Sequence, residues 1–172
     1  MAAWFTVYCL QPVAALTAAS LRTGIEHDDY HILAESFGID DDDAVDRAVR
    51  ALRVVPAARP AGVRFRVRFG TPRPLLVHVW DSPERVATER EEAEEQFDTS
   101  TGGVPRRIRL HMDWVTAVVA VEMGWGQLDD MGIVFGCLLA EHVAATCGGL
   151  IRDPHDAWWA MKKGRAVRIP GG

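Results

Sequence analysis

The chain lacks any uninterrupted apolar run of about 18 residues, so no membrane-spanning helix is expected. It also lacks a basic excess. Nineteen Lys and Arg stand against 24 Asp and Glu, a formal charge of −5, whereas general nucleic-acid binders carry the opposite imbalance. Cysteine is scarce: Cys9, Cys137 and Cys147 form no Cys-x-x-Cys pair, and an odd number suits no disulfide framework. They read as buried thiols of a reducing compartment. The first residues show neither the basic segment nor the long apolar stretch of a secretory signal, so a cytoplasmic protein is expected.

Catalytic signatures are missing too. There is no Gly-x-Ser-x-Gly elbow, hence no nucleophile for a hydrolase of that class. Gly124-Trp125-Gly126 precedes a helix, but neither Gly-x-Gly-x-x-Gly nor a Gly-Lys-Ser/Thr ending is present. Gly132 and Gly136 read instead as small residues on a packed helix face. Asp40–Asp43 lack the alternation, glycine and distant glutamate of a calcium loop and read as a helix cap. His27, His31 and Glu35 stand at i, i+4 and i+8, a spacing that would put two imidazoles on one helix face. The His-Glu-x-x-His order that would supply a general base is not there. No structural metal and no cofactor are expected, and no catalytic residue is assigned.

What is present is a foldable pattern. At 172 residues, 48% apolar and 25% charged, the chain suits one soluble domain and not a disordered segment. Trp4–Leu10 reads as a buried strand and Ala14–Leu21 as helical. Tyr30, Leu33, Ala34 and Phe37 follow i, i+3, i+4, i+7, predicting a helix over 27–37 that stops at Gly38. Asp40–Asp43 open another helix, with Val45, Ala48, Val49 and Leu52 as its apolar stripe. Its acids come first and its arginines last, the order the helix dipole favours. Pro56 and Pro60 break the pattern. Val63, Phe65, Val67 and Phe69 then alternate with Arg64, Arg66 and Arg68, the clearest strand in the chain. Leu75–Trp80 is a second strand across a hairpin loop. Ser82-Pro83 starts a helix over 84–97, striped by Val86, Ala93 and Phe97 and ending in a Thr99–Gly103 loop. Arg106–Met112 alternates again and predicts a strand, followed by the nearly all-apolar Trp114–Met123, in which Val115, Ala117, Val119 and Val121 share a face. Asp129 caps a long helix over 130–147 with Val134, Leu138 and Val143 inward, closed by Gly148-Gly149. Leu150–Arg152 and Ala157–Met161 read as closing strands around an Asp153-Pro154 turn. The order predicts a single α+β domain, with a largely antiparallel sheet covered by helices on one face.

Two clusters are candidate binding sites. Arg64, Arg66 and Arg68 share a strand face, about 7 Å apart. They form a ridge for phosphates or an acidic partner, unless they pair with the chain's own glutamates (Glu89, Glu91, Glu92, Glu94 and Glu95). Asp153, His155, Asp156, Trp158 and Trp159 bring carboxylates, an imidazole and two tryptophans into seven residues. One reading makes His155 an acid or base. Another gives one tryptophan to the core and the other to a partner, since neighbours on a strand face opposite ways.

Val118–Met123, the helix carrying Ala140, Glu141 and Ala144, and the ending Gly-Gly-Leu-Ile-Arg-Asp-Pro with Trp158-Trp159 carry a resemblance over about residues 115–160. They resemble the C-terminal parts of small uncharacterised bacterial proteins, some of which look like immunity proteins of toxin–immunity systems. The resemblance includes no catalytic motif and implies a non-enzymatic, cytosolic binding protein. The resulting expectation is an immunity-like module that occludes a surface of a toxin-like protein partner, binds neither nucleic acid nor membrane, and is a monomer or homodimer. The alternatives are a small enzyme with a histidine/carboxylate site near His155 or a metal on His27 and His31, and an anionic-ligand binder using Arg64, Arg66 and Arg68.

Overall fold

A computed structural model describes residues 2–59, 61–99 and 105–170. In chain order the elements are β1 (Ala2–Cys9), α1 (Ala18–Ile25), α2 (Tyr30–Ser36), α3 (Asp42–Ala51), β2 (Arg53–Pro56), β3 (Val63–Arg68), β4 (Leu75–Trp80), α4 (Pro83–Thr99), α5 (Arg106–Met112), β5 (Ala117–Gly124), α6 (Met131–Cys147), β6 (Leu150–Arg152), β7 (Trp158–Lys162) and β8 (Arg165–Arg168). All eight strands join one sheet in the order β2-β3-β4-β5-β1-β6-β7-β8. Every neighbouring pair is antiparallel. The fold is α+β, as the pattern predicts.

Strand alternation sends each strand's residues to two different layers. On one face Phe5, Val7 and Cys9 of β1 stand with Val119, Val121 and Met123 of β5 and with Phe65 and Val67 of β3. Four helices (α1, α2, α3 and α6) supply the other half of this core. Helix α6 lies closest, because Gly136 leaves no side chain in the way. A Cβ there would stand 2.7 Å from the Met123 terminal methyl and 3.1 Å from the Phe5 ring. The opposite face is not bare. Tyr8, Val118, Leu150, Trp158 and Ala160 form a second core beneath Val86, Ala93 and Phe97 of α4 and Ile108 and Met112 of α5.

The helix ends follow local chemistry. Asp41 Oδ1 accepts from the Ala44 N–H, with Asp42 and Asp43 in the first turn, so the aspartate run serves as a cap. Asp130, not Asp129, caps α6 by accepting from the Gly132 N–H. Gly148 closes the helix in the left-handed conformation (φ 63°).

Four expectations change. Arg106–Met112 is helix α5, not a strand. Ile108 and Met112 fit both period 2 and i, i+4; packing against α4 and the sheet selects the helix and leaves Leu110 half exposed. Val115 therefore joins Ile108 and Met112 in the second core, and the strand proper starts at Ala117. On α6 the inward leucine is Leu139, whereas Leu138 is only partly buried beside Val134 and Val143. Finally, α2 starts at Tyr30 with Asp29 as its cap, so His27 precedes the helix and shares no face with His31. Strands β2 and β8, both sheet edges, went unread, and the first helix starts at Ala18, after a short 3₁₀ turn over Val13–Ala15. Pro60 and the 100–103 part of the expected Thr99–Gly103 loop lie outside the described residues.

Candidate functional site

Helices α4 and α5 cover only part of the second face. Beside them β4, β5 and β1 remain open and form the floor of a cleft of about 810 Å³. The floor is set by cross-strand register, which places Trp4 opposite Glu122, Leu76 opposite Glu122, and His78 opposite Ala120. One wall is α4. Its apolar stripe runs Val86, Ala93, Phe97, and Glu89 occupies the inward position between Val86 and Ala93. The other walls are Ala61-Gly62, Trp125 and the β6–β7 loop. Gly62 is needed where it stands: φ is +85°, and a Cβ would lie 3.1 Å from the Trp80 indole nitrogen.

The cleft is aromatic at its base and ionic at its rim, and its charges are held in pairs. His78 Nε2 meets Glu122 Oε2 at 3.0 Å, and Arg73 Nη2 meets Glu122 Oε1 at 2.8 Å. Both carboxylate oxygens of Glu122 therefore have a partner. The His78 ring sits between Trp4 and Trp80, with centroids at 5.2 and 5.4 Å. Arg85 pairs with Glu89 and lies 4.8 Å over the Trp80 ring. Burial pushes the Glu89 carboxyl above its usual value; Arg85 opposes this rise, while Glu92 adds to it. Tyr8 is buried and stacks on Trp158 at 5.3 Å. Burial raises its phenol to about 12, against the pull of Arg152. Two hydroxyl side chains, Thr6 and this phenol, line the cleft beside His78 and the carboxylates of Glu89, Glu92, Asp153 and Asp156.

The sequence candidates at 153–159 form the β6–β7 loop, and their roles separate. Asp153 is a turn organiser: its Oδ1 accepts from the N–H groups of His155 and Ala157, and its Oδ2 accepts from Trp159 Nε1 at 2.8 Å. Asp156, at φ 64°, pairs with Arg152. Trp158 enters the second core and Trp159 packs on the first, the opposite-face arrangement the strand implies. His155 is exposed, and among the described residues its side chain makes no ion pair or hydrogen bond. The loop borders two cavities: Asp153, Pro154 and Asp156 line the first, while Asp153, Pro154, His155 and Trp159 line a second of about 490 Å³. That second cavity lies against α6. Burial and nearby Glu141 raise the Cys137 thiol to about 12.

Arg66 and Arg68 lie on the uncovered end of the cleft's face, a register shift in β3 falls at Arg64, and none of the three meets a carboxylate among the described residues. His31 binds two acids, Nδ1 to Asp42 at 2.9 Å and Nε2 to Asp46 at 3.2 Å, as a surface tie between α2 and α3. Among the described residues no group of three or more His, Cys, Asp or Glu is placed to hold a metal. No helix among them is long and apolar enough to cross a membrane. No protein family, curated protein or solved structure matches the chain.

Sequence reading did not single out Trp4, His78, Trp80 or Glu122, and it named Glu89 only among the glutamates of an acidic helix that could pair with Arg64, Arg66 and Arg68. A signal existed for two of them. His78 and Glu122 are polar residues inside otherwise apolar strands (LLVHVW and AVVAVEMG), and a buried polar group is more informative than an exposed apolar one.

Proposed function

We propose that the chain is a non-enzymatic protein-binding module, immunity-like as its C-terminal part resembles. It works in the cytosol by covering a functional surface of a toxin-like partner. One observation carries this reading: Trp4, Trp80 and the half-exposed Trp125 gather at an open cleft whose surrounding charges are largely paired already. Such a surface offers flat aromatic area at little entropic cost and no free nucleophile. Tryptophans in a recess with a polar rim are the usual anchors of an interface. The His78–Glu122 pair favours a second reading, an enzyme using acid–base chemistry in this cleft and not at His155.

An immunity protein is encoded beside the toxin it neutralises, so the test uses the product of the adjacent gene. Calorimetry should give a stoichiometric complex, and Trp80→Ala and Trp125→Ala should each weaken it at least about tenfold, the scale of an interface hot spot. No complex, or unchanged affinity in both variants, would overturn the reading. Turnover of a small molecule by purified protein, lost in His78→Ala, would establish the enzyme instead.

A further inference from the structure

The uncovered face continues past the cleft onto β3 and β2, and its character changes there. Arg66 and Arg68 rise from alternate positions of β3 and Arg53 of β2 stands directly across from Arg68, while a register shift between Val63 and Phe65 interrupts the alternation at Arg64. Like charges directly opposed in a sheet are destabilising. The chain carries 24 carboxylates, yet none is paired with these arginines among the described residues. Arg66 donates to the Arg59 carbonyl at 2.6 Å, and Arg53 donates to the carbonyls of Arg50 and Leu52 at the end of α3. Arg64 and Arg68 are exposed, and among the described residues their side chains have no hydrogen-bond or ion-pair partner. A shallow cavity of about 510 Å³ opens beside them, walled by Thr71, Pro72, Pro74 and Leu76. The two densest runs of acids lie elsewhere, at the start of α3 and along α4.

We propose that this arginine plateau is the electrostatic half of the binding surface, and that it receives an extended acidic segment of a protein partner. The proposal rests on the binding-module reading and adds the partner's chemistry. Complementarity of charge carries it: an uncompensated row of guanidinium groups on a chain of net charge −5 selects a local cluster of carboxylates. Spacing agrees, because side chains on one side of an extended chain repeat every 6–7 Å or so, as Arg66 and Arg68 do in the regular part of β3. Leu76 and the prolines supply apolar contact between the charges. A nucleic acid fits less well. Its phosphates would run on into a cleft rimmed by Glu89, Glu92 and Asp156, where like charge repels them.

The test uses a fluorescein-labelled peptide of alternating Glu and Thr, read by anisotropy, beside an oligothymidylate of matched length and charge. Wild-type protein should bind the peptide saturably, and more weakly as salt rises to about 0.15 M, where screening acts within about 8 Å. The triple variant Arg64→Ser/Arg66→Ser/Arg68→Ser should lose at least about tenfold, and a control variant at Arg106, Arg107 and Arg165 less than about twofold. Arg64 and Arg68 are exposed and Arg66 is half-buried, so the triple variant should stay folded, which its melting curve verifies. Equal binding by the triple variant and the wild type would overturn the proposal. So would tighter binding of the oligothymidylate by tenfold or more, which would mark a nucleic-acid surface. The peptide has no aromatic anchor, so Trp80→Ala should leave its affinity unchanged. Failure of the cleft and failure of the plateau are thereby read separately.

Discussion

Truncating Leu139 tests whether α6 is seated as described, because its neighbour Leu138 is an internal control of the same residue type. Leu139 is 0% exposed in the main core, whereas Leu138 is only partly buried at its edge. Leu139→Ala removes three carbons, at about 0.8 kcal/mol each for transfer alone, or about 2.4 kcal/mol. The site has little room to collapse, since Gly136, one turn earlier on α6, already brings the helix within contact of Phe5 and Met123. The residual cavity therefore adds to the cost, for a total of about 3–5 kcal/mol. Leu138→Ala should cost about 1 kcal/mol, because part of that side chain stays in water in both states. Urea melts followed by tryptophan fluorescence separate the two. With a slope near 2 kcal/mol/M, the Leu139 variant should unfold at about 1.5–2.5 M less urea. Its melting temperature should fall by about 2–4 °C per kcal/mol. A Leu139 loss below about 1 kcal/mol, or a Leu138 loss as large as that of Leu139, would refute the seating of the helix.

Helix α5 predicts an asymmetry: Ile108→Ala should destabilise by about 2–4 kcal/mol and Leu110→Ser by under about 0.5 kcal/mol, whereas a strand would make both costly. Denaturation of the two variants decides it. Burial lowers the affinity of His111 for a proton, and its Nε2–H donates to the Tyr8 carbonyl at 2.7 Å. With the folded value below the unfolded 6.5, its contribution is present above that pH and is lost as pH falls through the folded value. His111→Gln should flatten the pH dependence of stability in this window; an unchanged slope would assign it to other groups. Burial sets Glu89 the opposite way, raising its carboxyl above 4.5. Its share of stability is fully present below that pH and declines as pH rises through the folded value. Glu89→Gln should gain on wild type as pH rises from about 4 to 7, and a constant difference across that range would count against burial as the cause. With Cys9 and Cys147 buried and the Cys137 thiol raised to about 12, a disulfide reagent should modify the native protein far more slowly than the denatured one. Rapid native labelling would show that one thiol is open to solvent.

The sequence alone determined what depends on local chemistry and period. Alternation at Val63–Phe69 required a half-buried strand, the aspartates at Asp40–Asp43 required a helix start, and Gly148 required a left-handed stop, because each signal lies within a few residues. Trp158 and Trp159 had to face opposite ways for the same reason. Tertiary packing decided what local period leaves degenerate. Ile108 and Met112 suit helix and strand equally, and contact with α4 and the sheet chose between them. It also chose Leu139 over Leu138, since an almost wholly apolar helix does not reveal which stripe faces inward. The cleft belongs to tertiary structure more than any other feature. His78 and Glu122 are 44 residues apart, and Trp4 meets them only through the register of β1 and β4 on either side of β5. A site assembled across strands has no spacing in the chain, because its geometry is written in the pairing of the strands and not in their order.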